Sequence, residues 1–166
     1  MVQIAILTIS DRAAQGIYED TSGPLIAKII EDRTGWTIVE QQIVRDEINE
    51  IVEILESWVD KKLDLVLTSG GTGFAPRDVT PEATMQVIDR LAPGITEAMR
   101  LEGLKITPHA MLSRSVAGMK GKTLIINLPG SPKAVKENLD VVLPVLGHAI
   151  ELLSSQSSAE SGHRII

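Results

Sequence analysis

Cysteine is absent from this 166-residue sequence, which excludes disulfides, thiolate catalysis and cysteine-ligated metal centres. Aromatic side chains are scarce as well, at 2% of the residues, so we expect no base-stacking platform for single-stranded nucleic acid. The formal net charge is -6 at pH 7, which leaves no basic footprint for a nucleic-acid backbone. An anionic ligand would therefore need donors gathered at one place in the fold, because the overall charge does not attract it.

Long apolar runs are also missing, and no stretch approaches the length that spans a membrane. Residues 1–7 are apolar, but no basic residue precedes them and Asp11 and Arg12 follow soon, so we expect a core strand rather than a signal peptide. We therefore expect a cytoplasmic protein without a membrane or nucleic-acid partner. Residues 1–153 should form a single domain, and the serine-rich residues 154–166 should form a mobile tail.

Apolar runs of strand type alternate along the chain with apolar residues at helical spacing. This pattern predicts strands at 2–9, 37–44, 63–68 and 122–127, and helices that start near 22 and 80 or cover 47–60, 95–104 and 134–153. Residues 11–20 should form a long polar loop, and residues 105–119 show no clear pattern. The alternation is typical of an α/β protein of three layers, with a mostly parallel central sheet and helices on both faces.

Short polar side chains stand where several predicted helices begin. Ser22 or Thr21 is a candidate cap for the first helix, Asp46 for the second and Thr80 for the third. Gly35 is placed to end the first of these helices.

A glycine-rich segment, LTSGGTGFAPRDVTPE at residues 67–82, joins a predicted strand to a predicted helix. Glycines let backbone N–H groups approach a ligand closely, and such a group of donors binds anions. The segment lacks the Gly-Lys-Ser/Thr of the phosphate-binding loop and the spacing of the dinucleotide fingerprint, which disfavours an ordinary kinase, GTPase or dehydrogenase. A ligand site is favoured over the alternative, a tight turn that merely needs glycine.

Two carboxylates follow predicted strands at corresponding places. Asp78 lies within the glycine-rich segment, and Asp46 follows the strand at 37–44. Because Mg²⁺ prefers one or two carboxylates together with substrate phosphates, the two residues are candidates to share one magnesium ion. The alternatives are a turn capped by Asp78 and a helix capped by Asp46.

Further polar residues lie at the ends of other predicted strands. Residues 127–133, NLPGSPK, form a second strand–loop–helix junction whose helix start suits a phosphate group, with an ordinary capped helix as the alternative. Thr8-Ile9-Ser10-Asp11 and Ser113-Arg114-Ser115 offer hydroxyls, a carboxylate and a guanidinium, although each signal is weak alone. Ligands bind at the carboxyl ends of parallel strands, so the loops 8–20, 68–78 and 127–133 should meet at one edge.

Several separated motifs together resemble the molybdopterin-binding family of molybdenum-cofactor biosynthesis, which includes adenylyltransferases and the G domain of gephyrin. The segments that carry the resemblance are TSGGTG at 68–73, RDVTPEAT at 77–84, TISD at 8–11, PHAMLSRS at 108–115 and INLPGSP at 126–132. They occur in the family's order and run from the first strand to the last helix, so only the tail lies outside the resemblance.

The resemblance implies an activity. Members of the family transfer AMP from ATP to the terminal phosphate of molybdopterin, a pyranopterin dithiolene, and release pyrophosphate. Some relatives are inactive, so a non-catalytic molybdopterin-binding carrier of the same fold is the alternative. The family also implies a homotrimer and transient contact with other molybdenum-cofactor enzymes.

The resemblance also assigns roles to individual residues. Asp46 and Asp78 would be the catalytic carboxylates linked to Mg²⁺. Nucleotide and pterin would be held by Ser10, Asp11, Ser69, Gly70, Gly71, Thr72 and Gly73. The pterin phosphate would be bound by Ser113, Arg114, Ser115, Asn127, Pro129, Gly130 and Ser131.

Overall fold

The computed structural model describes residues 1–154 of the chain. The strands are β1 (Gln3–Ile9), β2 (Thr37–Val44), β3 (Leu65–Ser69), β4 (Arg90–Leu91), β5 (Ala117–Lys120) and β6 (Thr123–Leu128). The helices are α1 (Asp11–Ala14), α2 (Ser22–Thr34), α3 (Ile48–Asp60), α4 (Thr80–Val87), α5 (Pro93–Leu104) and α6 (Pro132–Ser154), with a 3₁₀ helix at Pro108–Leu112. The tail predicted at 154–166 lies outside the described residues apart from Ser154, which is the last residue of α6.

One sheet of six strands forms the middle layer, in the order β2-β1-β3-β6-β5-β4. The first four strands of this order are parallel, whereas β5 and β4 run antiparallel to their neighbours. Thr8 is paired with Ser69, and Ser69 with Leu128. The carboxyl ends of β1, β3 and β6 therefore lie side by side at one edge of the sheet.

Helices cover both faces of this sheet because side chains of the central strands alternate between two cores. On one face Ile4, Leu65 and Leu124 pack against helices α2, α5 and α6. On the other face Ala5, Val66 and Ile125 pack against α3 and α4, with Trp58 fully buried among them. The predicted three-layer α/β class is confirmed, and no helix within residues 1–154 is both long and apolar enough to cross a membrane.

The predicted bounds of several elements differ from those in the structure. The strand at 37–44 is confirmed, and Gly35 ends α2 with a left-handed φ of 66°. The loop predicted at 11–20 is wrong at its start, because Ser10 Oγ accepts a hydrogen bond from Ala13 N at 3.2 Å and begins the short helix α1. The helix predicted at 95–104 begins two residues earlier, because Pro93 is the first residue of α5.

The predicted helix caps are also corrected. Neither Ser22 nor Thr21 caps α2 with its side chain; Asp20 Oδ1 accepts hydrogen bonds from Ser22 N and Gly23 N, both at 3.0 Å. Thr80 lies inside α4 and donates its hydroxyl hydrogen to Gly70 O at 2.8 Å. The preceding loop therefore uses this threonine to anchor itself to the helix.

Candidate active site

The glycine loop, residues 70–79, leaves β3 through two glycines that other residues cannot easily replace. Gly70 and Gly71 have φ values of 98° and 63°, in the region that L side chains rarely adopt. A Cβ atom on Gly70 would lie 2.3 Å from the carbonyl oxygen of Ile9, which belongs to the neighbouring strand. The backbone therefore requires glycine at position 70, which is compatible with a tight turn and with a ligand site alike.

The phosphate junction, residues 129–131, follows β6 and lies directly against the glycine loop. Ser69 Oγ donates to Pro129 O at 3.0 Å, and Ser22 Oγ donates to Gly130 O at 2.7 Å. Gly70 N donates to Leu128 O at 3.2 Å. These contacts bring the predicted loops of three strands together at one edge of the sheet.

A first cavity of about 310 Å³, here called the Ser10 cavity, opens on one side of this contact. Its lining includes Ser10, Tyr18, Ser69, Gly70, Gly130 and Ser131. The helices α2 and α6 both begin beside it, and Ser131 Oγ accepts a hydrogen bond from Ala134 N at 3.2 Å at the start of α6. Hydroxyls and the start of α6 make this cavity suitable for phosphate groups, whereas the first N–H groups of α2 already donate to Asp20.

A second cavity of about 450 Å³, here called the Arg100 cavity, lies on the other side. Its lining includes Thr72, Asp78, Arg100, His109, Ser113 and Asn138. Arg100 donates to Ser113 O and Ser115 O at 3.4 and 3.3 Å, so it holds the Ser113–Ser115 turn against the cavity. Pro129 and Gly130 line this cavity too, and Gly130 is therefore shared by both.

The sequence patterns gave no role to Arg100 or His109, although both residues line this cavity. Neither residue belongs to a recognisable spacing, because Arg100 is one arginine within a helix and His109 lies in a short 3₁₀ helix. Only the packing of α5 against α6 brings them to the cavity that the glycine loop borders.

Asp46 lies partly buried against the glycine loop. A Cβ atom on Gly71 would come within 3.1 Å of Asp46 Oδ1, and Asp46 Oδ2 accepts a hydrogen bond from Asp11 N at 2.8 Å. Asp46 does not cap α3, whose N-cap residue is Glu47. Burial raises the pKa of Asp46, and the nearby carboxylates of Asp11 and Asp78 raise it further.

Asp78 belongs to the glycine loop itself. A Cβ atom on Gly73 would be 2.8 Å from Asp78 Oδ2, and this oxygen accepts a hydrogen bond from Ala75 N at 3.0 Å. Asp78 therefore does cap a turn, as its alternative interpretation predicted, while its side chain also lines the Arg100 cavity.

The two aspartates fit a magnesium ion that completes its shell with substrate oxygens and water. Within residues 1–154 no group of three or more acidic or histidine side chains is arranged to hold a metal ion by itself. Mg²⁺ commonly uses only one or two carboxylates together with phosphates. Burial raises the pKa of Asp46 most, and repulsion from the carboxylates of Asp11 and Asp78 raises it further. A bound cation would relieve this repulsion.

Two predicted phosphate ligands, Asn127 and Ser115, are engaged in structural contacts. Asn127 is fully buried; its amide nitrogen donates to Thr68 Oγ1 and Thr84 Oγ1 at 3.0 and 2.9 Å, and its oxygen accepts from Val116 N at 3.1 Å. Asn127 therefore links β6 to β3 and α4 through hydrogen bonds, and it lines neither cavity. Ser115 is also buried, and its hydroxyl accepts a hydrogen bond from Ser113 Oγ at 3.1 Å.

Arg114 supports the glycine loop. Its Nε donates to Gly73 O at 2.7 Å and its Nη2 donates to Asp78 O at 2.6 Å, while Nη1 forms an ion pair with Glu82. These contacts fix the backbone on both sides of residues 74–77. Arg114 therefore acts on the site in this structure by holding the loop that carries Asp78.

Comparisons with known proteins agree over most of the chain. A family model described as "Probable molybdopterin binding domain" matches residues 5–148. The molybdopterin adenylyltransferase of Helicobacter pylori strain J99 is 43% identical over 154 residues, which cover 92% of this chain and 88% of that protein. Gephyrin of Dictyostelium discoideum is 48% identical over 97% of this chain, but the chain spans only 24% of gephyrin.

Solved structures show the same similarity. The molybdopterin biosynthesis enzyme MoaB from Thermus thermophilus is 48% identical and superposes with a TM-score of 0.89. The match covers 94% of this chain and 98% of that one. The sheet order and the layers described above are therefore those of a known fold.

Proposed function

The chain belongs to the molybdopterin-binding family of molybdenum-cofactor biosynthesis, and from this premise we propose that it is a molybdopterin adenylyltransferase. In this reaction an oxygen of the terminal phosphate of molybdopterin attacks the α-phosphorus of ATP. A phosphorus–oxygen bond forms as the bond to pyrophosphate breaks, so AMP passes to molybdopterin and pyrophosphate leaves. No covalent intermediate with the protein is required, which suits a site made of donors and carboxylates.

The observation that carries the proposal is the pair of cavities that meet at Gly130. One cavity offers hydroxyls and the start of α6, and the other is larger and reaches from the glycine loop to α5 and α6. An enzyme that joins two phosphorylated substrates needs two binding sites whose phosphate ends converge. The contact between Gly130 and Gly70, where a Cβ on Gly130 would be 3.4 Å from Gly70 Cα, marks the place of convergence.

We assign ATP to the Ser10 cavity. The start of α6, with Ser131, and the hydroxyls of Ser10 and Ser69 would bind its phosphates through N–H and O–H donors. Tyr18 lies at the rim and offers an aromatic face to the nucleobase; its ring is held by Arg12, whose guanidinium carbon is 5.5 Å from the ring centre.

We assign molybdopterin to the Arg100 cavity. Its apolar lining, which includes Met99 and Leu112, suits a flat heterocycle, and Arg100 supplies positive charge for a phosphate group. Asn138 and Glu137 belong to α6, line the same cavity and offer acceptors for ring N–H groups. The terminal phosphate would then point toward Gly130 and the glycine loop.

Asp46 and Asp78 would hold Mg²⁺, which when bound neutralises phosphate charge and favours attack at phosphorus. The glycine loop carries the backbone N–H groups nearest to the point where the cavities meet. These donors would stabilise the negative charge that develops on the transferred group. Positioning and charge neutralisation are then the main contributions of the protein to the rate.

The resemblance to the family also supports a cytoplasmic homotrimer that meets other molybdenum-cofactor enzymes transiently. Exposed apolar side chains, Leu101, Ile106 and Met111, cluster near the end of α5 and suit burial against another chain. Sedimentation equilibrium tests the assembly: a trimer mass supports it, and a monomer at micromolar concentration contradicts it.

Pyrophosphate release tests the proposed activity. The protein is incubated with ATP and Mg²⁺, with and without molybdopterin, beside the variants Asp78→Ala and Asp89→Ala. Asp89 serves as the matched control, because its carboxylate pairs with Lys120 and lines neither cavity. We expect molybdopterin-dependent release that falls at least about 100-fold in Asp78→Ala and stays within about 2-fold in Asp89→Ala.

Two other outcomes would change the interpretation. Binding of molybdopterin without any release of pyrophosphate would favour the non-catalytic carrier. Undiminished release in Asp78→Ala would remove this residue from the catalytic centre. The fold of each variant is checked by its unfolding transition in urea, so that loss of activity is not confused with loss of structure.

A further inference from the structure

We propose that Arg77 is a positioning residue of this site, which acts through Asp11 to hold the carboxylate of Asp46 in place beside the glycine loop. The inference rests on the proposed adenylyl transfer and adds to it a residue that contacts neither cavity. Arg77 lies in the loop after β3, Asp46 in the loop after β2 and Asp11 at the start of α1, and together they are called the carboxylate clamp.

The first part of the clamp is a paired contact between Arg77 and Asp11. Arg77 Nε donates to Asp11 Oδ2 at 2.9 Å, and Arg77 Nη2 donates to Asp11 Oδ1 at 2.9 Å. The same Nη2 donates to Glu47 Oε1 at 2.8 Å. Two parallel bonds fix the plane of the carboxylate as well as its position, which a single charge such as lysine does not achieve.

The second part is a reciprocal contact between Asp11 and Asp46. Asp11 N donates to Asp46 Oδ2 at 2.8 Å, and Asp46 N donates to Asp11 Oδ1 at 3.1 Å. Each carboxylate is therefore held by the backbone of the other residue, although the two are 35 positions apart in the chain. This arrangement brings two negative charges close together, and Arg77 is the cation hydrogen-bonded to Asp11. Arg45 adds only a smaller charge–charge attraction, which lowers the pKa of Asp11 less than Arg77 does.

The clamp changes the role expected for Asp11. The resemblance assigned this residue to the nucleotide, but both of its carboxylate oxygens accept hydrogen bonds from Arg77. On this side the Ser10 cavity is lined by Ser10 and Ala13 instead. Asp11 is thus better placed to orient Asp46 than to contact ATP.

The position of Arg77 in the chain extends the effect to the second aspartate. Arg77 immediately precedes Asp78 in the chain. The contact between Arg77 and Asp11 therefore also restrains the backbone position of Asp78. Catalysis by positioned carboxylates is sensitive to small displacements, whereas exposed ion pairs add little to stability. The side chain of Arg77 is 55% exposed, so we expect its removal to lower turnover far more than folding.

The test compares Arg77→Gln with the matched control Arg45→Gln. Arg45 immediately precedes Asp46, is 57% exposed and forms an ion pair with Glu50, but it contacts neither Asp11 nor Asp46 through a hydrogen bond within the described chain. Both variants lose one positive charge at the same distance in sequence from a proposed catalytic aspartate. Differences between them therefore report the clamp rather than the general charge.

We expect Arg77→Gln to lower kcat about 10- to 100-fold, with KM for ATP and for molybdopterin changed less than about 3-fold and the urea midpoint unchanged. Arg45→Gln should stay within about 2-fold of the wild type in every constant. Arg77→Lys should recover only part of kcat, because it restores the charge without the two parallel bonds. Asp11→Asn combined with Arg77→Gln should cost little more than either change alone, since both break one unit.

Four results would overturn the clamp. They are an unchanged kcat in Arg77→Gln, an equal loss in Arg45→Gln, full recovery in Arg77→Lys, and an effect confined to KM for ATP, which would indicate direct contact with the nucleotide. If the wild-type protein itself releases no pyrophosphate, the proposed function fails and the clamp with it. If the wild type transfers AMP and Arg77→Gln is equally active, the clamp is rejected while the proposed function stands.

Discussion

The glycine loop after β3 and the phosphate junction after β6 both carry glycine between a strand and a helix, yet they use it differently. Gly70 and Gly71 have left-handed backbones, whereas Gly130 does not. A Cβ atom would collide with the Ile9 carbonyl oxygen at Gly70, while at Gly130 it would make an ordinary contact of 3.4 Å. Glycine is required by the backbone in the first case, whereas in the second case the fold itself would accept a Cβ atom.

The two junctions also differ in length and charge. The glycine loop takes ten residues, 70–79, to reach α4, carries Asp78 and is supported by Arg114. The phosphate junction takes three residues, 129–131, to reach α6 and contains no acidic residue. The long loop is supported by the charged side chain of Arg114, whereas the short junction is held by neutral hydroxyl groups of Ser69 and Ser22. Under the proposed function, the first junction would hold Mg²⁺ and the second would bind phosphate.

The largest effect should follow from Gly70→Ala. The variant would hold alanine at a φ of 98° with its Cβ 2.3 Å from a backbone oxygen, so either the turn or β1 must move. The left-handed strain and the overpacking together should lower the free energy of unfolding by about 2–5 kcal/mol. Urea unfolding of metal-free protein measures this loss, and Gly130→Ala, expected to stay within about 1 kcal/mol, is the control. Equal midpoints for the two variants would refute the distinction between these glycines.

Much of the fold could be predicted because the parallel strands are buried on both faces. The central strands β1, β3 and β6 appear in the sequence as continuous apolar runs of this kind. The edge strand β2 was also predicted with its observed bounds, 37–44, although most of it is exposed. Strands β4 and β5 were missed, since two and four residues are too few to show a period. Helix α1 was missed for a similar reason, because one capping serine rather than an apolar face starts its four residues.

The position of the site could be predicted because it follows from where the strands end. The residues that face it could not all be predicted, because that depends on the direction of each side chain. The meeting of the loops after β1, β3 and β6 follows from parallel pairing alone. A motif cannot tell whether Asn127 points to a ligand or into the core, and here it is fully buried with three hydrogen bonds. Arg100 depends on how α5 packs against α6, a contact that no local pattern records.

A medium effect, on activity alone, should follow from Gly130→Ala. The added methyl group would stand beside Gly70 where the two cavities meet, without straining the backbone. The methyl group would increase the distance between the two reacting phosphate groups, and we therefore expect kcat to fall about 10- to 100-fold. Steady-state pyrophosphate release measures this, with ATP binding followed by calorimetry. A variant that keeps full kcat would show that the substrates do not meet at this residue.

The smallest effect should follow from Glu82→Gln, which tests the support of the glycine loop. The hydrogen bond from Arg114 lowers the pKa of Glu82, although burial opposes it, so the ionised carboxylate stabilises the folded state. Since the folded pKa lies below the unfolded one, this stabilisation is complete above the unfolded pKa and is lost as pH falls through the folded pKa. The carboxylate is 46% exposed, so solvent screening should keep the contribution below about 1 kcal/mol at pH 7.

The measurement is urea unfolding of wild type and Glu82→Gln in metal-free buffer between about pH 3 and pH 7. The difference between them should be constant at neutral pH and shrink toward zero below the ordinary glutamate pKa of 4.5. Glu53→Gln is the control, because Glu53 is exposed on α3 and forms no ion pair within the described part of the chain. A difference that persists at the lowest pH would mean that Glu82 supports the loop by packing rather than by charge. The glycine loop would then resemble the phosphate junction, whose shape depends on its neighbours and not on ionised groups.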